Sequence, residues 1–273
     1  MMTQTAGQTP VFHYKTPFLL NALMDGNHKS KRQGPGSEFY RQAAFLTDPN
    51  PARVDLARSL TNPFETLFVK SFRQRSELDV VTLADASQSM LTGHKADCLI
   101  QALSSISQSI YEGGDKGHHY LLTDFIQSLS SLPDWQAAIA AHINQTPRRF
   151  RQLKHEIPVQ RSLIFILSDF HWPAGWLQSV LSELAAHYVV PVVIWSAAES
   201  ADYPLWRFVW VQDAESDDQH LLFTTPRQRH HIRQAFNERK QFLNALFNSY
   251  GHRPIWLAEP FSVLQFSRFF LGE

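Results

Sequence analysis

The stretch from Leu78 to Met90 reads LDVVTLADASQSM and decides the fold of this chain. Its first half is a short, nearly continuous run of apolar and β-branched residues, which is typical of a strand buried on both faces of a parallel sheet. Its second half places a carboxylate and two hydroxyls at alternate positions, Asp85, Ser87 and Ser89. Ligands of open α/β sheets bind at the carboxyl ends of the strands, so the triplet predicts a cradle for a hard cation.

A second buried-strand run, RSLIFILSDF at residues 161–170, also ends in a carboxylate, Asp169. Strand runs of this kind alternate with amphipathic helical patterns along the chain. The alternation predicts an α/β fold with a doubly wound, mostly parallel sheet flanked by helices. Asp85 and Asp169 are then expected at the same edge of the sheet. A plain turn or a helix cap is the alternative role for each, because Asp is common in both.

The triplet after a buried strand resembles the metal-ion-dependent adhesion site of von Willebrand factor A domains. That family completes its site with a Thr from a loop before a later helix and with a second Asp at a strand end. The resemblance implies that Mg²⁺ or Mn²⁺ is held by Asp85, Ser87, Ser89, Thr146 and Asp169. Thr123, in YLLTDF, is the alternative threonine. The resemblance also implies a protein partner that donates a carboxylate to the ion.

The segment before the triplet carries a second resemblance. The order of the glycine-rich RQGPGSEFY loop, Asp48 and Arg53-Val54-Asp55 is similar to a bacterial family called "domain of unknown function 58", whose members have a von Willebrand A-like domain. The similarity runs from about Arg32 to the C-terminus. This chain has Thr47-Asp48 and Val54-Asp55-Leu56 where the family reads Gly-Asp and Ile-Asp-Trp. Membership implies partnership with a MoxR-type AAA+ ATPase.

We expect three parts. Residues 1–75 form an irregular N-terminal segment with some β structure that packs on the core, and residues 76–200 form the von Willebrand A-like core. Residues 201–273 add a β-hairpin, a long helix and a last strand and helix that complete the same domain. Within the first part, Phe64 to Phe72 alternates apolar and polar residues and predicts an edge-like strand or hairpin arm.

Composition argues against several classes of partner. The formal net charge of the 273 residues is zero, so no global field favours nucleic acid or anionic lipid. The sequence shows neither a membrane-spanning apolar stretch nor a signal peptide. Its single cysteine, Cys98, lies among helical apolar positions and agrees with a reducing compartment. We therefore expect a cytoplasmic protein.

A basic group follows the candidate threonine. Arg148, Arg149 and Arg151 begin a predicted helix beside Thr146 and predict a surface that binds an acidic partner. The alternative is that these residues form a solvent-exposed helix face without a partner.

The sequence lacks the local signatures of common enzymes. It contains no HExxH, paired CxxC, GxxxxGK[ST] or GxSxG motif, so we expect an interaction protein without catalytic residues. The alternative is a Mg²⁺-dependent phosphoryl hydrolase that uses Asp85 and Asp169. His171 would then be the side chain to suspect as its base.

Overall fold

The computed structural model describes residues 9–14, 16, 28–34, 38–44, 54–55, 59–61, 67–91, 94–122, 126–128, 156–196, 208–212, 219–223, 225–257 and 260–272. The chain divides into two compact units. The larger contains Met1–Tyr14, Asp79–Tyr111 and Gly117–Glu273, and the smaller contains Lys15–Leu78 and Glu112–Lys116. The predicted division at residues 75 and 200 is not tested by this partition and stays a prediction.

The smaller unit contains an antiparallel sheet of three strands, β1 (His28–Gly34), β2 (Glu38–Ala44) and β3 (Phe68–Ser76). The strand order is β1-β3-β2, so β3 pairs on both sides. The strand expected at Phe64–Phe72 is present over Phe68–Phe72, where β3 begins, and residues 64–66 lie outside the described part of the chain. The edge-like position was wrong, because β3 is the central strand, and the alternative of a hairpin arm stays a prediction. Alternation of apolar and polar residues indicates a half-exposed face, but it carries no information on how many edges of a strand are paired.

The larger unit is built on a six-stranded sheet. Its strands are β4 (Asp79–Asp85), β5 (Lys116–Leu122), β6 (Ile126–Ser128), β7 (Leu163–Ser168), β8 (Tyr188–Ile194) and β11 (Ile255–Leu257). Their order is β11-β8-β7-β4-β5-β6. Five of the strands are parallel, and β6 pairs antiparallel with β5. Every residue of β7 is buried, as its unbroken apolar run predicts.

Helices cover both faces of this sheet. They are α1 (Lys95–Gly113), α2 (Ala174–Glu183), α3 (Pro226–Ser249) and α4 (Leu264–Leu271), and a short 3₁₀ helix spans Gln88–Leu91. Apolar residues of α2 and α3 pack on one face of β4, β7 and β8 in a single core cluster. The doubly wound α/β prediction is thereby confirmed. None of the described helices is long and apolar enough to span a bilayer.

Stacked rings form what we call the aromatic cluster, which consists of Phe12, Tyr14, Phe165, Phe266 and Phe270. Phe12 stacks on Phe266 with ring centroids 4.7 Å apart and meets Phe165 of β7 edge to face at 6.2 Å. The backbone N–H of Phe12 donates to the Ser109 hydroxyl of α1. The cluster therefore joins the N-terminal segment, α1, β7 and α4 in one apolar layer.

The C-terminal elements follow their predicted order. Strands β9 (Phe208–Gln212) and β10 (Gln219–Phe223) form an antiparallel hairpin. Thr225 then starts α3 with a capping box: its hydroxyl accepts from the Gln228 N–H, and the Gln228 side chain accepts from the Thr225 N–H. Pro226 occupies the first turn, where its missing N–H carries little penalty.

Candidate functional site

Two neighbouring strand ends bring the predicted carboxylates together. Strands β4 and β7 are parallel, and Ala84 pairs with Leu167. Asp85 is therefore level with Ser168, and Asp169 follows one residue later. Both carboxylates are shielded from solvent, with Asp85 0% and Asp169 1% exposed. The two acids therefore lie at the same edge of the sheet, as their positions after two apolar runs predict. They are more buried than the ligands of an exposed surface metal site would be.

The Asp85 carboxylate is enclosed by donors. Its Oδ1 accepts from the backbone N–H of Ser87 at 2.8 Å. Its Oδ2 accepts from the Ser168 hydroxyl at 2.6 Å and from the Trp172 indole N–H at 3.1 Å. Hydrogen bonds to an ionised group hold it in one orientation and partly replace its lost hydration. Asp85 is thus a fixed, oriented group.

Electrostatics at Asp85 oppose its ionisation. Burial, and then the charge of the nearby Asp169, together raise the pKa of Asp85 from 3.8 to about 6. The hydrogen bonds from Ser168 and Ser87 act in the opposite direction. The ionised form of a carboxylate held in this way is at a free-energy disadvantage, which a nearby cation would relieve.

One buried cation already lies at this edge. The Lys95 ammonium is 3.2 Å from Asp169 Oδ2, and the exposed fractions of the two side chains are 0% and 1%. Lys95 is the first residue of α1. We call Asp85, Lys95, Ser168, Asp169 and Trp172 the strand-end cluster. When both acids are ionised, its formal charge is minus one.

The two serines of the triplet also converge. The hydroxyl oxygens of Ser87 and Ser89 are 3.1 Å apart. Ser87 is buried and Ser89 half-buried, at the start of the 3₁₀ helix that follows β4. Together with the acids they form an all-oxygen donor set, which fits a hard cation such as Mg²⁺ or Mn²⁺. The described residues include no group of three or more His, Cys, Asp or Glu side chains arranged to hold a metal ion.

The loop after β7 is held by contacts from distant parts of the sequence. Phe170 has a φ of +52°, a left-handed conformation that is unfavourable for a bulky residue. The Arg239 guanidinium of α3 donates to the carbonyl oxygens of Phe170 and Trp172. The Trp195 indole donates to the Asp169 carbonyl oxygen at 2.7 Å. These bonds maintain a strained turn that directs Asp169 towards Lys95.

Asp169 does not cap the helix after it. Its Oδ1 accepts from the His171 N–H, whereas Pro173 is the N-cap residue of α2 and makes no side-chain cap bond. His171 is exposed and stacks on Trp195 with parallel rings 5.7 Å apart. It lies at the rim of the site as a surface histidine.

The structure brings together Asp85, Ser87, Ser89 and Asp169 from the predicted ligand set. Thr146 and its alternative Thr123 lie outside the described residues, as do Arg148, Arg149 and Arg151. Their predicted roles stay predictions.

Sequence reasoning missed the cation of the cluster. A lysine at the start of a helix is usually a solvated residue, yet Lys95 lies in helical phase with the buried Leu99, Ala102 and Ile106. That phase was the available signal. Arg239 and Trp195 had no local signal, because they reach the loop after β7 from other elements.

Comparison with known proteins adds the family. The sequence matches "Protein of unknown function DUF58" over residues 58–242. A solved aerotolerance-related membrane protein from Bacteroides fragilis, carrying multiple mutations to serines, has 13% identity and a TM-score of 0.36, and the match covers 59% of this chain and 88% of that one. BatB from Bacteroides thetaiotaomicron, a conserved hypothetical protein, has 10% identity and a TM-score of 0.36, with 70% and 94% covered. No curated protein matches the sequence.

Proposed function

The chain belongs to the DUF58 family of proteins of unknown function, and we propose that it is a metal-ion-dependent protein-protein interaction protein without enzymatic turnover. The observation that supports this most is the pair of buried strand-end acids, Asp85 and Asp169, beside two convergent serine hydroxyls. These residues would hold Mg²⁺ or Mn²⁺. When bound, the ion would supply a Lewis-acidic centre, and the half-buried Ser89 marks the side from which an outside carboxylate would reach it.

The chain's own residues prepare this contact. Ser168 and Trp172 fix the orientation of Asp85, and Trp195 fixes the backbone at Asp169. Neutral hydroxyl ligands add no negative charge, so a bound ion would keep an affinity for a further anion. A protein side chain from a partner, Asp or Glu, fits that requirement.

Positive charge on helix α3 favours an acidic partner. Helix α3, whose Arg239 holds this loop, contains a single carboxylate, Glu238, and five cationic residues: Arg227, Arg229, Arg233, Arg239 and Lys240. Phe236 of the same helix contacts both His171 and Trp195. Charges at the rim of an interface mainly raise the association rate. The family resemblance makes a MoxR-type AAA+ ATPase, or its client protein, the first partner to test.

The enclosure of Asp85 weighs against the phosphoryl hydrolase alternative. A carboxylate nucleophile needs an open approach to phosphorus, but both Asp85 oxygens accept hydrogen bonds inside a buried cluster. We therefore propose that Asp85 and Asp169 hold an ion and do not attack a substrate. A metal-dependent phosphatase rate that disappears in Asp85→Ala would contradict this.

Calorimetric titration with Mn²⁺ tests the metal site. We expect saturable binding to the wild type and at least roughly a hundredfold loss in Asp85→Ala, because one of two anionic ligands is gone. Asp97→Ala is the matched control, since Asp97 is an exposed carboxylate on α1. Equal Mn²⁺ binding by wild type and Asp85→Ala would show that the site is misassigned.

Capture of the co-expressed ATPase tests the partner. We expect the wild type to retain it in Mg²⁺ and to release it in EDTA, and Asp169→Ala to fail in both conditions. Retention that is unchanged by EDTA and by Asp169→Ala would move the interface away from the strand-end cluster.

A further inference from the structure

The buried Lys95 ammonium occupies the place beside Asp169 where a metal ion would also bind. A cationic side chain with no solvent exposure lies 3.2 Å from one of the two acids that would hold the ion. A divalent cation at the same acids meets a like charge at short range, and like charges in a buried site disfavour each other strongly.

We propose that Lys95 is the internal counter-cation of the site and couples ion binding to anion binding. The inference rests on the proposed metal-dependent function. In the ion-free state the ammonium neutralises Asp169. When Mg²⁺ or Mn²⁺ enters, it must share Asp169 with Lys95 or displace the ammonium from it.

Charge counting shows the consequence for a ligand. Two ionised acids and one ammonium carry a formal charge of minus one, and a divalent ion changes this to plus one. The half-buried Arg239 guanidinium, which also interacts with the charge of Asp169, makes the site more positive still. A buried net positive charge is unfavourable, and one outside carboxylate cancels it. The ion should therefore bind weakly alone and tightly together with a carboxylate. Because such coupling is reciprocal, the ion should raise the affinity for the carboxylate by the same factor as the carboxylate raises the affinity for the ion.

Structural support for this role comes from the position of Lys95. As the first residue of α1, it is buried in helical phase with Leu99 and Ala102, so its stem is fixed by the packing of the helix. Asp169 is fixed by the Trp195 bond to its carbonyl oxygen and by the His171 N–H. The pair is thus a built contact between two held groups.

The test uses Mn²⁺ as the ion and acetate as the carboxylate probe. Lys95→Met removes the charge, and Lys95→Gln removes it but keeps a donor for Asp169. We expect both variants to bind Mn²⁺ at least roughly tenfold more tightly than wild type in chloride buffer, as expected when a neighbouring like charge is removed. Replacing chloride by acetate at equal ionic strength and equal free Mn²⁺ should tighten binding in the wild type and change it little in the variants.

Lys116→Met is the matched control. Lys116 is 65% exposed, is the first residue of β5 and pairs with Glu77, so its substitution should leave Mn²⁺ affinity unchanged. A second reading comes from thermal unfolding. Without the ammonium, the buried Asp169 loses its ion pair and keeps only its interaction with the charge of the half-buried Arg239, so the Lys95 variants should be destabilised in EDTA and recover in Mn²⁺ by a larger shift than wild type.

Each outcome decides between the proposals. If wild type and both variants bind Mn²⁺ equally or the variants bind it more weakly, Lys95 does not oppose the ion, and the inference fails while the metal site stands. The same holds if neither variant folds even in Mn²⁺, because the ion then does not replace the ammonium. If no protein binds Mn²⁺ in either buffer, the proposed metal-dependent function itself fails.

Discussion

The strand-end cluster and the aromatic cluster are both largely buried parts of the larger unit, but they differ in chemistry. The aromatic cluster contains stacked rings such as Phe12 on Phe266. The strand-end cluster contains two acids and a lysine without solvent exposure beyond 1%. Burial of rings stabilises a fold, whereas burial of charges is weak evidence for stability. The difference indicates that the aromatic cluster stabilises the fold, whereas the strand-end cluster contributes little to stability and is the place of the metal site that we propose.

Truncation of the aromatic cluster should give the largest loss of stability. Phe266→Ala removes a fully buried ring that contacts Phe12 and Phe165, and we expect it to lower the free energy of unfolding by about 3 to 5 kcal/mol. Mn²⁺ affinity of the folded fraction should not change. Denaturant titration and calorimetry measure the two quantities. Leu271→Ala is the control, because Leu271 is exposed and should cost less than about 0.5 kcal/mol.

A neutral change in the strand-end cluster should have a smaller effect. Ser168→Ala removes the hydroxyl that donates to Asp85 and accepts from the Phe170 N–H, so we expect a loss of about 2 to 3 kcal/mol in denaturant titration. Ser104→Ala is matched to it, because the Ser104 hydroxyl only donates to the Ile100 carbonyl oxygen within α1. Equal costs for the two serines would mean that Ser168 does not help to hold the buried acid.

Acid sensitivity tests whether buried charge is tolerated elsewhere. Burial, and then the charge of His118, lower the pKa of His119 on β5 from 6.5 to about 4. The unfolded chain therefore binds more protons between these values, and stability falls as the pH decreases from about 6.5 towards 4. The loss attributable to His119 should reach about 2 kcal/mol near pH 5.

The measurement compares unfolding midpoints near pH 5 and near pH 7 for wild type and His119→Gln. The variant should lose less stability on acidification, since its amide does not titrate. An identical acid response in both proteins would contradict the assignment. It would also mean that the site of His119 on β5 does not disfavour a charge more strongly than the strand-end cluster does.

The sequence predicted what depends on local pattern. Continuous apolar runs identified β4 and β7, and their final residues identified Asp85 and Asp169. The side chains that hold the loop after β7 were not predicted, because Trp195 and Arg239 follow it by tens of residues and meet it through the fold. Lys95 was missed for a different reason. A lysine is usually exposed to solvent, whereas its position in phase with the apolar residues of α1 predicts burial. The structure shows that Lys95 is buried.

The stacking of Phe12 on Phe266 also has a consequence for the order in which the contacts of the fold can form. The two rings stand at nearly opposite ends of the 273-residue sequence. A ribosome synthesises Phe12 long before Phe266, so the segment that carries Phe12 has no α4 to pack on until all the elements between them have been added. Contacts of such sequence separation slow folding, because loop-closure entropy is lost before they form. The burial of Phe12 and Tyr14 therefore depends on one of the most distant contacts in the sequence, and both rings lack their α4 partners until that contact forms.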